Sequence, residues 1–324
     1  MIDLTEEDKK FFGKTVNQIN SKFDRCFWPK EQCSKNAIRA HSIQNGAVLD
    51  LLCDNDHVII PKASLDINTG PKVVFDKVGR NKATTFTGLC DSHDGILFRP
   101  IDTQPFSHLN HEHLFLLSYR SVLRELHAQM KTAVDIQKQY EEGVKLGRFD
   151  PTKKDAAMDK TLVAISGSYS FYLFKFLFDQ DYNKSDFTKL EHKIIFVENI
   201  PPTVAVSTAY SYQDNLRYQN DRNNPKVLTL NVFPQNGGLY VIFSFRKEHA
   251  GLLESFIEPI VQAERHYKLF LVSKTILKYC ENIVLKPSIF GSFSEKKKEK
   301  IRKYFCENMF NVDAGADDPD LCLF

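Results

Sequence analysis

Net charge is what this sequence has least of: 43 Lys and Arg face 41 Asp and Glu, leaving +2. Such a balance neither demands nor excludes a nucleic-acid partner, and any polyanion site has to come from local clustering. No apolar signal run follows the charged start MIDLTEEDKK. The most apolar stretch, Leu162 to Phe178, is interrupted by Ser166, Ser168, Ser170 and Lys175, short of the ~20 apolar residues of a clean membrane span. A cytoplasmic protein with no membrane partner is therefore expected. Its 7 cysteines do not form a disulfide framework in a reducing compartment, and Cys322, third from the end, makes no prenylation box. A Gly-rich strand-to-helix phosphate loop with Lys is missing, as is a serine nucleophile elbow. Internal repeats are missing too.

What the sequence does have is apolar mass. Its 324 residues are 42% hydrophobic, with 26 Phe and 12 Tyr, enough for a substantial core in one large domain or two ordinary ones. Residues 1–25 read as an amphipathic helix carrying Phe11, Phe12, Val16, Ile19 and Phe23 at helical spacing. Cys26 to Asp102 is rich in Gly, Asp, Asn, Cys and His with short β-prone runs, so strands and loops around a site are expected there. Helical patterns follow over about 110–147 and 154–179, the second apolar enough to be buried. Four β-prone runs (193–197, 203–209, 227–232 and 239–245) predict an antiparallel sheet of about four strands, with Asn236-Gly237-Gly238 as a hairpin turn. A helix interrupted in its middle is expected over 249–279, and Ser294 caps a short basic helix. The fold class is α+β: an N-terminal module with its leading helix over 1–106, a larger helical and antiparallel-sheet domain over 107–310, and a mobile acidic tail over 311–324.

The chemistry concentrates in the first third. Cys26 and Cys33 bracket a loop holding Trp28, and Cys90 and His93 stand three apart at a helix start, on one side of it. Four such ligands suit tetrahedral zinc. The alternative is four ordinary buried residues, because free Cys is often buried without a ligand role. Cys53 and His57 are a rival pair.

The order of a cysteine pair, Ala40-His41-Ser42 and Leu89-Cys90-x2-His93-Asp94 resembles the treble-clef HNH (ββα-metal) nucleases over residues 26–102. The resemblance implies a structural zinc, His41 as the general base on water, and Asp94 holding a catalytic Mg²⁺ or Mn²⁺. Asp94 stands where the family has a second His. The stretch from His41 to Cys90 is long for the family, and Asn55, Asn68 and Asn81 compete for its central Asn. The Ala-His-Ser-Ile and Cys-x2-His-Asp segments, with Cys280-Glu281-Asn282-Ile283, also resemble a widespread group of uncharacterised bacterial proteins. From the residues alone, His41 reads equally as base, ligand or core imidazole, and Asp94 as a carboxylate at a helix start.

Three further features have bland readings. His108, His111 and His113 suit a helix cap better than a second metal site. The lysines and arginines of 296–303 suit a solvated helix offset by the acidic tail better than a phosphate grip. The aromatic run from Phe171 to Phe178 suits packing better than base stacking. The leading expectation is an HNH-like metal-dependent nuclease acting on DNA or RNA, in bacterial anti-phage defence. The alternatives are a non-catalytic zinc-stabilised binder of nucleic acid or protein, and a scaffold whose C-terminal domain carries a protein partner.

Overall fold

The computed structural model describes residues 23–30, 33–66, 70–211, 226–309 and 317–324. The amphipathic helix expected over residues 1–25 lies almost wholly outside them. Nine strands form two sheets among the described residues. A two-stranded sheet pairs β1 (Ala40–His41) with β4 (Thr85–Phe86) antiparallel. The large sheet contains β2 (His57–Asp66), β3 (Gly70–Gly79), β5 (Leu190–Glu198), β6 (Val204–Ser211), β7 (Val227–Gln235), β8 (Gly238–Arg246) and β9 (Ile283–Leu285). Its order is β3-β2-β9-β6-β7-β8-β5 with every neighbouring pair antiparallel.

The four strands expected from the second half are β5 to β8, and the 236–237 turn joining β7 to β8 has φ values of 54° and 72°, the conformation that Asn-Gly supplies in a two-residue hairpin. Three more strands correct the expected count. The β2–β3 hairpin leaves the N-terminal region and adds to the far side of the sheet. The short β9 is the splice: Leu285 pairs with both Ile59 of β2 and Val204 of β6. The expected domain boundary near residue 106 is thus crossed by a continuous hydrogen-bonded sheet. Nothing local in a strand says which distant edge it will meet, so this pairing left no mark in the sequence.

Helices cover both faces, a three-layer arrangement. One face carries α4 (Ala250–Gln262), α5 (Arg265–Tyr279) and α6 (Glu295–Met309), packed on Leu228, Leu230, Val241 and Phe243. The expected interruption of the 249–279 helix falls between α4 and α5. The other face carries α1 (Asp91–Thr103), α2 (His111–Lys145) and α3 (Ala156–Asn183). Because both faces are covered, β7 and β8 are buried along nearly their whole length.

Two further expectations change. The mobile tail is not mobile at its end: Leu321 and Leu323 are buried in the core, and the Leu323 N–H donates to Ser273 Oγ at 3.0 Å. Helix α3 is only half buried. Phe171, Phe174 and Phe178 face α2, while Leu162, Val163, Tyr169, Tyr172 and Phe176 are exposed. By length and composition α3 is apolar enough to cross a membrane. Its packed face also holds charge, with Lys175 on Asp179 at 2.7 Å and Asp181 on Arg246 at 2.7 Å. The basic helix α6 is largely neutralised: Lys300 binds Asp318 and Asp320, Lys298 binds Glu295, and Arg302 binds Glu299.

Candidate metal centre and the adjoining cleft

Cys26, Cys33, Cys90 and His93 converge, each offering a ligand atom within 4.8 Å of the others. The backbone explains how. Phe27 N–H donates to Gly88 O at 2.8 Å and Ile38 N–H to Leu89 O at 2.8 Å, so the cysteine loop is laid against the segment entering α1. An Arg25–Asn36 bridge closes that loop. Gly88 permits the close approach: a Cβ there would lie 2.5 Å from the Phe86 ring. Cys90 caps α1 and His93 lies in its first turn.

The edges fit a tetrahedral ion. Cys33 Sγ is 3.9 Å from Cys90 Sγ, and Cys26 Sγ is 3.4 Å from His93 Nδ1. A zinc tetrahedron with ordinary Zn–S and Zn–N bonds has edges of about 3.8 Å between sulfurs and about 3.5 Å between sulfur and nitrogen. Cys90 N–H donates to Cys26 Sγ at 3.3 Å, as it would to a bound thiolate. Burial pushes the Cys26 thiol up to about 11. Burial alone would raise Cys90, but hydrogen bonds from the His93 backbone and the Cys33 and Cys26 side chains outweigh it and hold Cys90 below the usual thiol value. The set can hold one metal ion such as zinc. Trp28 stacks on the His93 ring, fixing its plane.

The structure does not gather the rivals. Cys53 Sγ donates to Asp50 O and His57 Nδ1 to Asn55 O, and neither residue belongs to a metal-ligating group among those described. Asn110 caps α2, accepting from the N–H groups of Glu112 and His113, while Ser107 N–H donates to His113 Nδ1. The histidine-rich stretch is a helix start.

One residue past His93 the chain enters a cleft of about 460 Å³ lined by His41, Asp94, Asp102, Arg120, Gln44 and Asn45. His41 ends β1, and Asp94 follows His93 on α1, so β1, β4 and α1 bring both residues to one wall. His41 Nε2 lies 3.2 Å from the Arg80 carbonyl. A carbonyl only accepts, so Nε2 carries the hydrogen and Nδ1 is the ring's proton acceptor. Burial, reinforced by Asp102 and Asp91 and opposed by Arg120, raises the Asp94 carboxyl above its ordinary value. A cation at that carboxylate would offset the burial cost. Of the three asparagines, Asn81 adjoins the Arg80 that holds His41 and accepts from Asn45 Nδ2 at 3.1 Å. Asn55 occupies a turn at φ 50°, and Asn68 lies outside the described residues.

Sequence reasoning missed the supports. Arg120 on α2 makes a two-pronged pair with Asp102, at 2.9 and 2.6 Å, and lies over the Phe98 ring. Ser42, next to His41, donates to Thr84 O and accepts from Asn282 Nδ2 at 2.9 Å. The Ala-His-Ser and Cys-Glu-Asn-Ile segments therefore meet in space, and their common presence was the one available signal. The chain matches no family model, no curated protein and no solved structure.

Proposed function

We propose that this protein is a metal-dependent nuclease of HNH-like type, with a structural zinc on Cys26, Cys33, Cys90 and His93. The reading rests on one observation: His41 and Asp94 line a single cleft, and Asp94 follows the candidate ligand His93 on the same helix. The resemblance assigns them the base and the metal carboxylate, and their placement supports that pairing.

In this reading His41 Nδ1 takes a proton from water, and the water oxygen attacks the phosphorus in line with the leaving oxygen. The new O–P bond forms as the bond to the 3′ oxygen breaks, leaving a 5′ phosphate and a 3′ alkoxide that takes a proton from solvent to become the hydroxyl. The Arg80 carbonyl holds the imidazole in the tautomer the step needs. A Mg²⁺ or Mn²⁺ ion on Asp94 would supply positive charge at the phosphate and leaving oxygen. Arg120 is a guanidinium already neutralised by Asp102, so it shapes the cleft more than it charges it.

The test is cleavage of plasmid DNA and of RNA with Mg²⁺ or Mn²⁺, by the wild type and by His41→Ala and Asp94→Ala. Loss of cleavage by at least about a hundredfold in both folded variants is expected. An inert wild type that still retards DNA on a gel would instead favour the non-catalytic binder, and a wild type that does neither would favour the scaffold. A role in anti-phage defence belongs to the same proposal, tested by plating phage on cells carrying the wild type or His41→Ala.

A further inference from the structure

Helix α3 carries a second apolar stripe, on the side that α2 leaves uncovered. Met158, Leu162, Ile165, Tyr169, Tyr172 and Phe176 follow one another at alternating spacings of four and three residues. That is the heptad seam along which one helix lies against another. Leu162, Ile165, Tyr169, Tyr172 and Phe176 are between 41% and 56% exposed, and Met158 is partly exposed. The other side of α3 is already occupied, with Phe171, Phe174 and Phe178 in the core shared with α2. Lys175, Asp179 and Asp181 are the charged residues between Thr161 and Asn183, and all three are buried, so no exposed charge interrupts the seam over that span. The chain from Phe23, held at His127 of α2, to Pro29, held at Asn183 of α3, passes this helix pair without covering Tyr172 or Phe176. A contiguous apolar patch of this kind on a protein surface marks a contact site.

We propose that the seam pairs with α3 of a second copy of this chain, antiparallel about a two-fold axis near Gly167. The seam has its thioether and aliphatic side chains in its first half and its aromatic rings in its second. Antiparallel self-pairing therefore sets unlike against unlike. Met158 faces Phe176 of the other copy, Leu162 faces Tyr172 and Ile165 faces Tyr169, and the two-fold axis repeats each pair. Thioether sulfur on an aromatic ring is itself a favourable contact. A parallel pairing would instead crowd three aromatic pairs into one end. With large side chains about half exposed, each copy would cover on the order of 600 Å², about 1,200 Å² in all, the lower end of stable interfaces. A lipid surface fits less well, because helices that lie in a headgroup layer carry Lys and Arg along their polar face. Two α2–α3 hairpins joined in this way form a four-helix arrangement. The dimer does not depend on whether the protein cleaves nucleic acid.

The test is analytical ultracentrifugation of the full chain up to about 100 µM, where the wild type is expected at twice 37.3 kDa. Ile165→Glu and Tyr169→Lys each place a charge on the seam at an exposed position, so folding, checked by circular dichroism, should survive. Each should weaken the dimer at least about tenfold. Mixed one to one, the two variants should dimerise again, since Glu at 165 of one copy then faces Lys at 169 of the other while the symmetry-related pair stays native. Val163→Glu, on an exposed residue outside the seam, should leave the dimer intact. A wild type that stays monomeric at about 100 µM overturns the inference, and flotation of that monomer with anionic phospholipid vesicles would assign the face to a membrane. A dimer that both seam variants leave unchanged places the interface elsewhere and overturns it as well. Failure of the mixture to dimerise overturns the antiparallel register.

Discussion

The indole of Trp28 lies flat on the imidazole of His93, with ring centroids 4.2 Å apart and planes 5° from parallel. Trp28 is the chain's one tryptophan, and His93 Nδ1 lies 3.4 Å from Cys26 Sγ. A metal ion on His93 should therefore register in the intrinsic fluorescence. Stripping the metal with a strong chelator should change the emission, and returning zinc should restore it with an end point near one equivalent. An emission spectrum indifferent to chelation would show that Trp28 does not sit on a ligand.

The thiols give a second prediction. Purified wild type should carry about one zinc, and Cys90→Ser should carry less than about half an equivalent. Cys53→Ser, whose side chain lies outside the metal set, should keep the full amount. Cys26 is protonated at neutral pH before coordination, because burial lifts it to about 11. Zinc uptake should accordingly release protons, measurable in weakly buffered solution. Elemental analysis that finds no zinc in folded protein ends the zinc assignment.

Acid sensitivity follows from His192. Burial, with His111 and Lys247 adding, lowers its imidazole to about 4 from 6.5, and its Nδ1 lies 2.8 Å from Ser244 Oγ. Between those pH values the unfolded chain binds the proton and the folded one does not, so stability is lost as pH falls from 6.5 towards 4. The size of the shift corresponds to about 3 kcal/mol. His127, lowered chiefly by burial, acts in the same direction. Asp179 and Glu281, both raised by burial, act in the opposite one. The measurement is therefore differential: denaturant midpoints at pH 7 and pH 5 should differ less in His192→Gln than in the wild type. Equal pH slopes in the two proteins would contradict it.

The C-terminus should matter to stability. Leu323 is fully buried and its N–H is bonded to Ser273. Leu323→Ala should cost about 2–4 kcal/mol, read from chemical unfolding. A cost within about 0.5 kcal/mol would mean that these last residues contribute nothing to the core.

Asp102→Asn should weaken the two-pronged contact with Arg120, which is almost wholly buried while Asp102 is partly exposed. A loss of about 2 kcal/mol is expected, at the low side for breaking a buried pair because Asp102 keeps some water. Thermal unfolding of the variant checks it, and an unchanged midpoint would show the pair to be idle.

By itself the sequence determined the local facts. Cys-x2-His at a helix start put Cys90 and His93 on one side of α1, because helical spacing is fixed by backbone geometry. The Asn236-Gly237 turn and the β-prone runs gave the strands β5 to β8. Asn110 gave the cap of α2. The tertiary structure decided what met what. Leu285 joined two parts of the chain that read as separate domains, since an edge strand's hydrogen bonds carry no address for a distant partner. Packing on α2 buried only one side of α3, because apolar composition does not say how many faces a helix will cover. Burial of Leu321 and Leu323 made the last residues of an acidic tail part of the core. Cys26 and Cys33 joined Cys90 and His93 in one candidate metal set only when Phe27 and Ile38 were laid against Gly88 and Leu89. In the same way Arg120 and Asn282, ordinary residues in the sequence, came to line the cleft of His41 and to hold its neighbour Ser42 through long-range packing alone.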